Sequence, residues 1–453
     1  MQDLRGNPVS TASHDALTHA EHALWQIMSF YGTPIEALDA ASAADPAWPL
    51  PPLMKAGFLL SLTEPALLAS ARAEIARADA LRSRANARER EHLAALRTLL
   101  TGDWHGACRD WEALLLQHPR DALALQWAHL FDFYRGDALN LQQRVARVLP
   151  EWSETDPLHP YVLGQYAFGL EENQRYDAAE AAGRRALAGS ARVPWAIHAV
   201  AHVMEMQGRH AEGSAWMAHW QPDWTDGNGF VGHLGWHQAL FALERLAHAE
   251  ALQSFDAHLR AAPEQITLQR LDAAALLWRL HLLGADVGPR WQQLAAGWDL
   301  DERHAGHYAF NDLHALLALV GGGDVAAAEA WAQCCLRNAE ASAGANREMA
   351  REVGAPLMRG VLAYARGRHD EAIAALYPAR AHAQRFGGSH AQRDLITQTL
   401  LAAAAGAGST TPASATRRAV GRALLNERLL AKPSTPLTDF WASRLGLRHT
   451  GAA

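Results

Sequence analysis

One short pattern recurs along this chain and restricts its fold more than any other feature. It consists of a glycine, or once a glutamine, then an aromatic residue or histidine two positions later, then alanine or glycine. It begins at Gly102, Gln174, Gly208 and Gly367, each time after an apolar segment with helical periodicity. With Gly136 included, the first marks are 34, 38 and 34 residues apart. Such regular spacing predicts repeated pairs of helices joined by a tight turn.

The spacing and the stretch 102–121 resemble the tetratricopeptide repeat. The turn glycine, aromatic residue, small residue and closing proline of that repeat correspond here to Gly102, Trp104, Ala107 and Pro119. Almost no segment alternates apolar and polar residues as a half-buried strand would. The sequence therefore predicts an all-α fold, a tetratricopeptide-repeat-like α-solenoid built as a superhelix of antiparallel helix pairs. We expect its ends to fold over and close the groove around a central pocket.

The recurring turn pattern becomes less frequent beyond residue 246, and the composition changes again near the C-terminus. The stretch AAAAGAGSTTPASATRR, residues 402 to 418, has the small and polar residues typical of a flexible loop. These changes predict five segments along the chain. They are an N-terminal helical segment (1–85), a tetratricopeptide-repeat core (86–246), degenerate helical repeats that continue the solenoid (247–405), a flexible loop (406–416) and a C-terminal helical cap and tail (417–453).

The bulk composition argues against several classes of partner. The 48 acidic and 41 basic residues give a net charge of -7 without a long block of either sign, so no nucleic acid partner is expected. No run of about 18 apolar residues occurs, so no membrane partner is expected either. The N-terminal residues lack the order of a signal peptide, and the adjacent Cys334 and Cys335 would not form an unstrained disulfide. We therefore expect a cytoplasmic protein with reduced thiols.

Longer blocks extend the resemblance beyond the repeat itself. The blocks HPYVLGQYAFGLEE, IHAVAHVMEMQG, HLGWHQALF, FNDLHALLAL and GGSHAQRDL occur in this order, preceded by PVSTAS and followed by NERLLAKPSTPL. Together they resemble the tetratricopeptide repeat protein 38 family over nearly the whole chain. The resemblance implies the fold and does not identify a reaction. A candidate site therefore has to be derived from the residues themselves.

The stretch WAIHAVAHVMEMQG places three polar residues on one face of an otherwise apolar helix. His198, His202 and Glu205 follow the spacing i, i+4 and i+7. With Gly208 as the turn glycine they occupy repeat positions 5, 9 and 12, which line the concave surface in tetratricopeptide repeats. The same register one repeat earlier places Tyr161 at inward position 2. Because a buried polar group without a partner costs about 1–3 kcal/mol, this stripe should face solvent or a ligand.

Three further helical segments carry polar or aromatic residues that we expect to line the same pocket. They hold an i, i+4 histidine pair with a tryptophan, an Asn–Asp–His group and an Arg–Asp pair: His233, Trp236 and His237; Asn311, Asp312 and His314; Arg393 and Asp394. Ser389 and Gln392 have the spacing of a capping box and are predicted to be structural. Arg393 carries a planar guanidinium that suits an anionic group of a ligand.

The histidine pairs leave three chemical interpretations open. Pairs at i, i+4 on helices one repeat apart can bind one divalent metal such as zinc, with the candidate ligands His198, His202, His233 and His237. Residue 199 is alanine, which excludes the helical metalloprotease motif and its glutamate base. The second interpretation is metal-free acid–base chemistry, with the candidate groups His198, His202, Glu205, His314 and Asp312. The third is a structural hydrogen-bond network between helices.

Three classes of function follow from these interpretations. The predicted groove is rich in His, Asp, Glu, Trp and Tyr, whereas peptide-carboxylate clamps of this fold usually present Lys, Arg and Asn. This composition favours a protein that binds or processes a small anionic molecule. The alternatives are an adaptor that holds a peptide or partner protein in the groove, and a structural scaffold. The residues alone do not decide whether the protein is an enzyme.

Overall fold

The computed structural model describes residues 1–227, 229–260, 266–406 and 414–447. Within these ranges the chain is helical apart from its connections, and the β-type pairing is an isolated bridge between Gln2 and Pro8. The predicted all-α fold is confirmed. No helix in the described ranges is long and apolar enough to cross a membrane. Most of the predicted loop 406–416, namely residues 407–413, lies outside the described residues.

The helices fall into two compact units. The first comprises Met1–Val200, Trp220–Phe230 and Ala343–Ala345, and the second comprises Ala201–His219, Val231–Ser342 and Asn346–Ala453. The helices of the first unit are α1 (His14–Ser29), α2 (Ile35–Ala44), α3 (Leu50–Ser61), α4 (Leu68–Ala80), α5 (Ala87–Leu100), α6 (Trp104–Gln117), α7 (Ala122–Tyr134), α8 (Ala138–Val148), α9 (His159–Glu172), α10 (Tyr176–Gly189) and α13 (Gln221–Thr225). Helix α11 (Pro194–Met206) begins in the first unit and ends in the second.

The second unit continues with helices of similar length and a few short ones. These helices are α12 (His210–His219), α14 (Val231–Glu244), α15 (His248–Ser254), α16 (Thr267–Leu282), α17 (Arg290–Ala296), α18 (Ala309–Gly321), α19 (Val325–Ala341), α20 (Asn346–Met349), α21 (Ala355–Ala365), α22 (His369–Ala379), α23 (His390–Ala405), α24 (Ala415–Ala431) and α25 (Pro436–Arg444). Short 3₁₀ or π segments extend some helices of both units: Pro65–Leu67, Leu149–Glu151, Phe255–Leu259, Ala350–Gly354 and Arg380–Phe386.

A residue in the left-handed conformation stands at each turn between paired helices. These residues have φ between 54° and 92° and follow one another at intervals of 33 to 44 residues: Phe30, Thr63, Gly102, Gly136, Gln174, Gly208, Leu246, Gly284, Gly323 and Gly367. The helix pairs therefore continue through the region where the sequence marks thin out. The mark at Leu246 was missed because a leucine adopts a conformation that usually belongs to glycine. The pairing agrees with the predicted tetratricopeptide-repeat-like solenoid class.

Local sequence explains where many of these helices begin. Aspartates immediately before α6, α7, α8 and α19 accept a hydrogen bond from a backbone N–H in the first helical turn: Asp103, Asp121, Asp137 and Asp324. The first N–H groups of a helix have no partner within it, so a capping carboxylate stabilises the helix by about 1 kcal/mol. Proline stands in the first turn of α3, α9 and α25, where its missing N–H costs nothing.

A buried ion network joins α14 to the C-terminal helices within the second unit. Glu244, the last residue of α14, accepts hydrogen bonds from Arg428 of α24, from Lys432 at 2.8 Å and from Thr435 at 2.6 Å. Burial alone would raise the pKa of Glu244, but Arg428 and Lys432 hold it well below its usual range. Because each charge is removed from water, the network depends on every partner being present.

The turns provide a direct test of backbone strain. A non-glycine residue in the left-handed region costs roughly 1–2 kcal/mol, partly offset by the greater freedom of glycine in the unfolded chain. We expect Gln174→Gly, at an exposed position with φ of 60°, to raise the free energy of unfolding by about 0.5 kcal/mol. Gly367→Ala should lower it by about 1 kcal/mol, because φ is 71° and nothing lies within 4 Å of the added Cβ. Urea titration measures both, and equal signs for the two variants would contradict the strain argument.

The Glu244 network provides a second test. Glu244→Gln leaves Arg428 and Lys432 buried without their carboxylate and should lower the free energy of unfolding by about 3–5 kcal/mol at pH 7. Because the pKa of Glu244 is depressed in the folded state, its contribution is present above pH of about 4.3 and is lost as the pH falls through the folded pKa. The difference between wild type and variant should therefore shrink below about pH 4.

The matched control for this test is Glu427→Gln. Glu427 pairs with Arg380 at 2.7 Å, but its side chain is 52 % exposed. An exposed pair contributes about 0–1 kcal/mol, so this variant should unfold almost as wild type does. If Glu244→Gln were as mild as the control, the network would not hold α14 to the C-terminal helices.

Candidate functional site

Three histidines from two helices of the second unit form what we call the three-histidine cluster: His202 of α11 with His233 and His237 of α14. The ring centroids of His202 and His237 are 4.4 Å apart, and those of His233 and His237 are 4.9 Å apart. Nitrogen atoms of the three rings lie within 4.8 Å of one another. His202 and His237 are fully buried, whereas the His233 side chain keeps 14 % of its surface exposed. Within the second unit, the structure thus brings together the predicted metal ligands that belong to it.

His198, the fourth predicted ligand, lies one helical turn before His202 on α11. It belongs to the part of that helix assigned to the first unit. Within that unit its ring packs against Phe168, Trp195 and Phe230, with centroid separations of 5.0, 5.2 and 5.1 Å. A ligand role for His198 stays a prediction, which rests on its i, i+4 spacing to His202.

Two carboxylates lie beside the Nδ1 atoms of the α14 histidines. Asp272 of α16 lies with Oδ2 2.8 Å from His233 Nδ1, and Glu205 of α11 lies with Oε2 3.3 Å from His237 Nδ1. An ionised carboxylate only accepts hydrogen bonds, so Nδ1 of each ring carries the proton and donates it when the carboxylate that faces it is ionised. The Nε2 atom of each ring is then the one with a lone pair for a metal. Carboxylate–histidine pairs of this kind are the usual support of metal-ligating histidines.

Burial determines the charge of these groups. It lowers the pKa of His202 well below the usual range, an effect to which the neighbouring His233, His390 and Arg393 add. Burial likewise lowers the pKa of His237. Both rings are therefore neutral near pH 7, which is the form that binds metals. Burial raises the pKa of Glu205 to about 7, so this carboxyl group changes its charge close to neutral pH.

Helix α16 contributes two buried charged residues on one face, Asp272 and Arg279. Arg279 donates to the backbone oxygens of Ala275 at 3.1 Å and of Ala391 at 2.7 Å. Its guanidinium lies 5.4 Å from the centre of the Trp236 ring, and that ring stacks on His233 with a centroid separation of 5.3 Å. Trp236, a predicted ligand-binding residue, thus lines the three-histidine cluster. The buried guanidinium of Arg279 lies against its ring.

The predicted Asn311–Asp312–His314 group of α18 divides between two faces of that helix. His314 is buried and lies close enough to Asp272 and Arg279 for their charges to act on it. Asn311 is buried one turn earlier. The carboxyl group of Asp312 instead accepts from the Gly306 backbone N–H at 3.2 Å and lies beside Cys335 of α19. Asp312 therefore does not reach the histidines, because a shift of two residues along a helix turns a side chain through about 200°.

Helix α23 brings the Arg393–Asp394 pair to the second unit. Ser389 and Gln392 form the capping box that the sequence predicts, with both reciprocal hydrogen bonds present. Arg393 is half-buried, donates to the Gly388 backbone oxygen, and adds positive charge near His202. Asp394 accepts from Gln398 at 2.9 Å and lies 3.4 Å from Arg428. Arg393 is thus placed beside the three-histidine cluster, whereas Asp394 joins the ion network at the end of α14.

Tyr161, a predicted ligand-binding residue, belongs to the first unit. Its hydroxyl accepts a hydrogen bond of 2.9 Å from Trp25 Nε1. His92, ten residues before the turn glycine Gly102, lies 2.9 Å from the buried carboxylate of Asp121, which also accepts from Arg88. Both side chains of the first unit are therefore hydrogen-bonded within the chain.

Four buried charged residues of the second unit were not among the predicted site residues: Asp272, Arg279, Glu244 and Arg428. The signal was present for the first two, because LQRLDAAALLWRLHLLG carries an aspartate and an arginine seven residues apart in a strongly apolar helix. Residues at i and i+7 share one face, and charged residues are rarely buried without a partner. No comparable pattern exists for Glu244 and Arg428, which lie 184 residues apart and meet only through folding.

The arrangement has the components of a metal site with an open position. Three imidazoles, two of them with carboxylate support, match the ligand set of catalytic zinc sites, where a fourth position is left for water or substrate. Around a tetrahedral ion with Zn–N bonds of about 2.0–2.1 Å, ligand nitrogens lie about 3.3 Å apart. The nitrogens here lie within 4.8 Å, so small side-chain rotations would bring them to that separation.

Comparison with known proteins adds little beyond the fold. No protein-family model matches this chain. Among solved structures, a tetratricopeptide repeat protein from Parabacteroides merdae ATCC 43184 is similar, with 14 % sequence identity and a TM-score of 0.34. The similarity covers 64 % of this chain and 99 % of that one. It carries no information about the three-histidine cluster.

Proposed function

We propose that this protein binds one divalent transition-metal ion, zinc in the first instance, through His202, His233 and His237 of the second unit. The observation that supports this most strongly is the pair of carboxylate–histidine contacts at Asp272 and Glu205. In their ionised form these carboxylates favour the Nδ1–H tautomer of both α14 histidines and so prepare Nε2 as a ligand. We also propose His198 as a candidate fourth ligand, on the basis of its spacing to His202 alone.

Charge supports a small anionic molecule as the ligand of the metal. The cluster and the network beside it contain equal numbers of ionisable cations and carboxylates: Arg279, Arg393, Arg428 and Lys432 against Glu205, Glu244, Asp272 and Asp394. These charges cancel when all are ionised, so a bound divalent ion would leave a net positive centre. Such a centre attracts an anion, and the half-buried His233 and Arg393 mark the side from which it would enter.

A metal at this position would act as a Lewis acid that polarises a carbonyl or phosphoryl oxygen of the bound molecule. The protein's own residues would hold the ion, exclude water around it and position an anionic group near Arg393. We propose in addition that the chain is a member of the tetratricopeptide repeat protein 38 family. Four of the blocks that carry that resemblance, at 197–208, 233–241, 310–319 and 387–395, contain the three histidines of the cluster, His314 and Arg393.

Metal binding to the purified full-length protein tests the proposal. We expect about one equivalent of Zn²⁺ by elemental analysis or calorimetry, and an increase in Tm on adding the ion, since a ligand that binds only the folded state stabilises it. His202→Ala and His237→Ala should lower the affinity at least 100-fold, because each removes one of three ligands. His304→Ala is the matched control, as His304 also pairs with an aspartate, Asp299 at 2.6 Å, outside the cluster.

The outcome that would contradict the proposal is a protein whose Tm does not respond to Zn²⁺, Co²⁺ or Ni²⁺ and which binds none of them. If His202→Ala and His237→Ala were then folded and unchanged in all assays, an adaptor or scaffold role would be the better interpretation. If both variants unfolded while His304→Ala did not, the cluster would be a structural hydrogen-bond network.

The supporting carboxylate can be tested separately. Asp272→Asn keeps the shape of the side chain but replaces an ionised acceptor, so we expect Zn²⁺ affinity to fall about 10- to 100-fold with the stoichiometry unchanged. Competition with a chromophoric chelator measures this affinity. Asp299→Asn is the control and should bind Zn²⁺ as wild type does. An unchanged affinity in Asp272→Asn would show that the contact with His233 does not support a ligand.

A further inference from the structure

Two hydrogen-bond acceptors are buried beside the three-histidine cluster without a partner among the residues the structure describes. They are Asp272 Oδ1 of α16 and His314 Nε2 of α18. Helix α16 packs against both α14 and α18, so these atoms lie in the layer next to His233. Asp272 uses its other oxygen, Oδ2, for His233 Nδ1. The Asp272 carboxylate therefore supports the proposed metal ligand His233 through Oδ2, while Oδ1 has no hydrogen-bond partner among the described residues.

The tautomer of His314 follows from its surroundings. His314 Nδ1 lies 2.8 Å from the backbone oxygen of Phe310. A carbonyl oxygen only accepts, so Nδ1 carries the proton and Nε2 carries the lone pair. Burial lowers the pKa of His314 to about 4, which keeps the ring neutral. His314 Nε2 is therefore a hydrogen-bond acceptor without a donor among the described residues.

A donor and a cation accompany the two acceptors. Trp236 Nε1 is also buried without a hydrogen-bond partner in the described ranges, and an indole N–H only donates. Arg279, seven residues after Asp272 on the same face of α16, lies over the Trp236 ring and supplies a buried positive charge. We call Asp272, Arg279, His314 and Trp236 the α16–α18 subsite. The two acceptors, the indole donor and the buried positive charge of this subsite suit a ligand that has an O–H donor next to an anionic group.

Such unsatisfied atoms are unusual in folded proteins. Each buried polar atom without a partner is unfavourable, and native proteins contain few of them. Three such atoms, on α14, α16 and α18, belong to residues around the three-histidine cluster and are the groups that a bound molecule would use for hydrogen bonding. An ordered water could satisfy the two acceptors, but it would not account for a buried arginine that faces no carboxylate at hydrogen-bond distance.

We propose that the α16–α18 subsite recognises a small 2-hydroxycarboxylate bound at the metal. Its hydroxyl donates to His314 Nε2, and its carboxylate faces the ion, with Trp236 Nε1 and the charge of Arg279 in support. This inference rests on the proposed metal site and names the ligand class that the site takes. A site built to accept a hydroxyl proton discriminates against analogues that lack it, because its own acceptors are then left unsatisfied.

The test uses full-length protein loaded with Co²⁺ and titrated with glycolate, methoxyacetate and acetate while the visible absorption of the ion is followed. Methoxyacetate keeps the second oxygen for chelation but has no proton to donate. We expect glycolate to bind at least about tenfold more tightly than either analogue, the factor that one hydrogen bond supplies. His314→Phe should bring the three affinities to within about threefold while Co²⁺ still binds with full stoichiometry.

The control variant is His369→Phe, which replaces another buried histidine of the second unit and should keep the preference for glycolate. If His314→Phe does not fold, the inference can still be tested by NMR on wild-type protein loaded with Zn²⁺. There the ¹⁵N resonance of His314 Nε2 should move upfield with glycolate and stay in place with acetate. Equal affinities in wild type, or an unchanged preference in His314→Phe with no shift of this resonance, would overturn the inference.

Failure of the two proposals can be told apart in the same experiment. If Co²⁺ does not bind, the metal site and the subsite that depends on it are both wrong. If Co²⁺ binds with full stoichiometry but glycolate is not preferred, the metal site stands and the 2-hydroxycarboxylate is wrong. If glycolate is preferred equally by wild type and His314→Phe, the hydroxyl is recognised by some other group.

Discussion

Buried carboxylates of the second unit determine how its polar side chains are arranged. A carboxylate removed from water has to be compensated, either by a cation or by a change in its own protonation. Glu244 is compensated by Arg428 and Lys432, and its pKa falls. Glu205 has no such direct cation, and its pKa rises to about 7 beside His237. The tautomers of the histidines, and with them the chemistry available in this unit, follow from these pairings.

Stability alone does not explain why this centre is polar. Replacing a buried ion pair by well-packed apolar residues is often neutral or stabilising, so buried charges are weak evidence for a contribution to folding. The helices of the second unit already bury large apolar side chains such as Trp278, Phe241 and Trp441. For the polar cluster of histidines, carboxylates and arginines in the same unit we propose a bound ion and an anionic ligand as the reason. That explanation also accounts for acceptors such as His314 Nε2 that the chain itself leaves unsatisfied.

The first unit shows that the same residue types can be purely structural. Asp121 caps α7 through the Ala124 backbone N–H and at the same time compensates Arg88 and contacts His92. Burial raises its pKa, yet the guanidinium of Arg88 and the ring of His92 hold that pKa well below the usual range. Here each polar atom of the carboxylate has a partner from the chain. The Asp121 carboxylate is thus fully hydrogen-bonded, whereas Asp272 leaves Oδ1 without a partner among the described residues, a distinction that no residue pattern expresses.

The sequence by itself determined the features that depend on near neighbours in the chain. Helical periodicity, the turn at Gly208, the capping box of Ser389 and the shared face of His233 and His237 all arise within a few residues, where local geometry leaves little choice. Tertiary structure decided the rest. It brought Asp272 of α16 to His233, turned Asp312 away toward α19 and left Tyr161 in the other unit, because the packing of distant helices selects which face meets which. It also placed Leu246 in the left-handed conformation at a turn, because packing contacts in the rest of the unit outweigh the preference of leucine for negative φ.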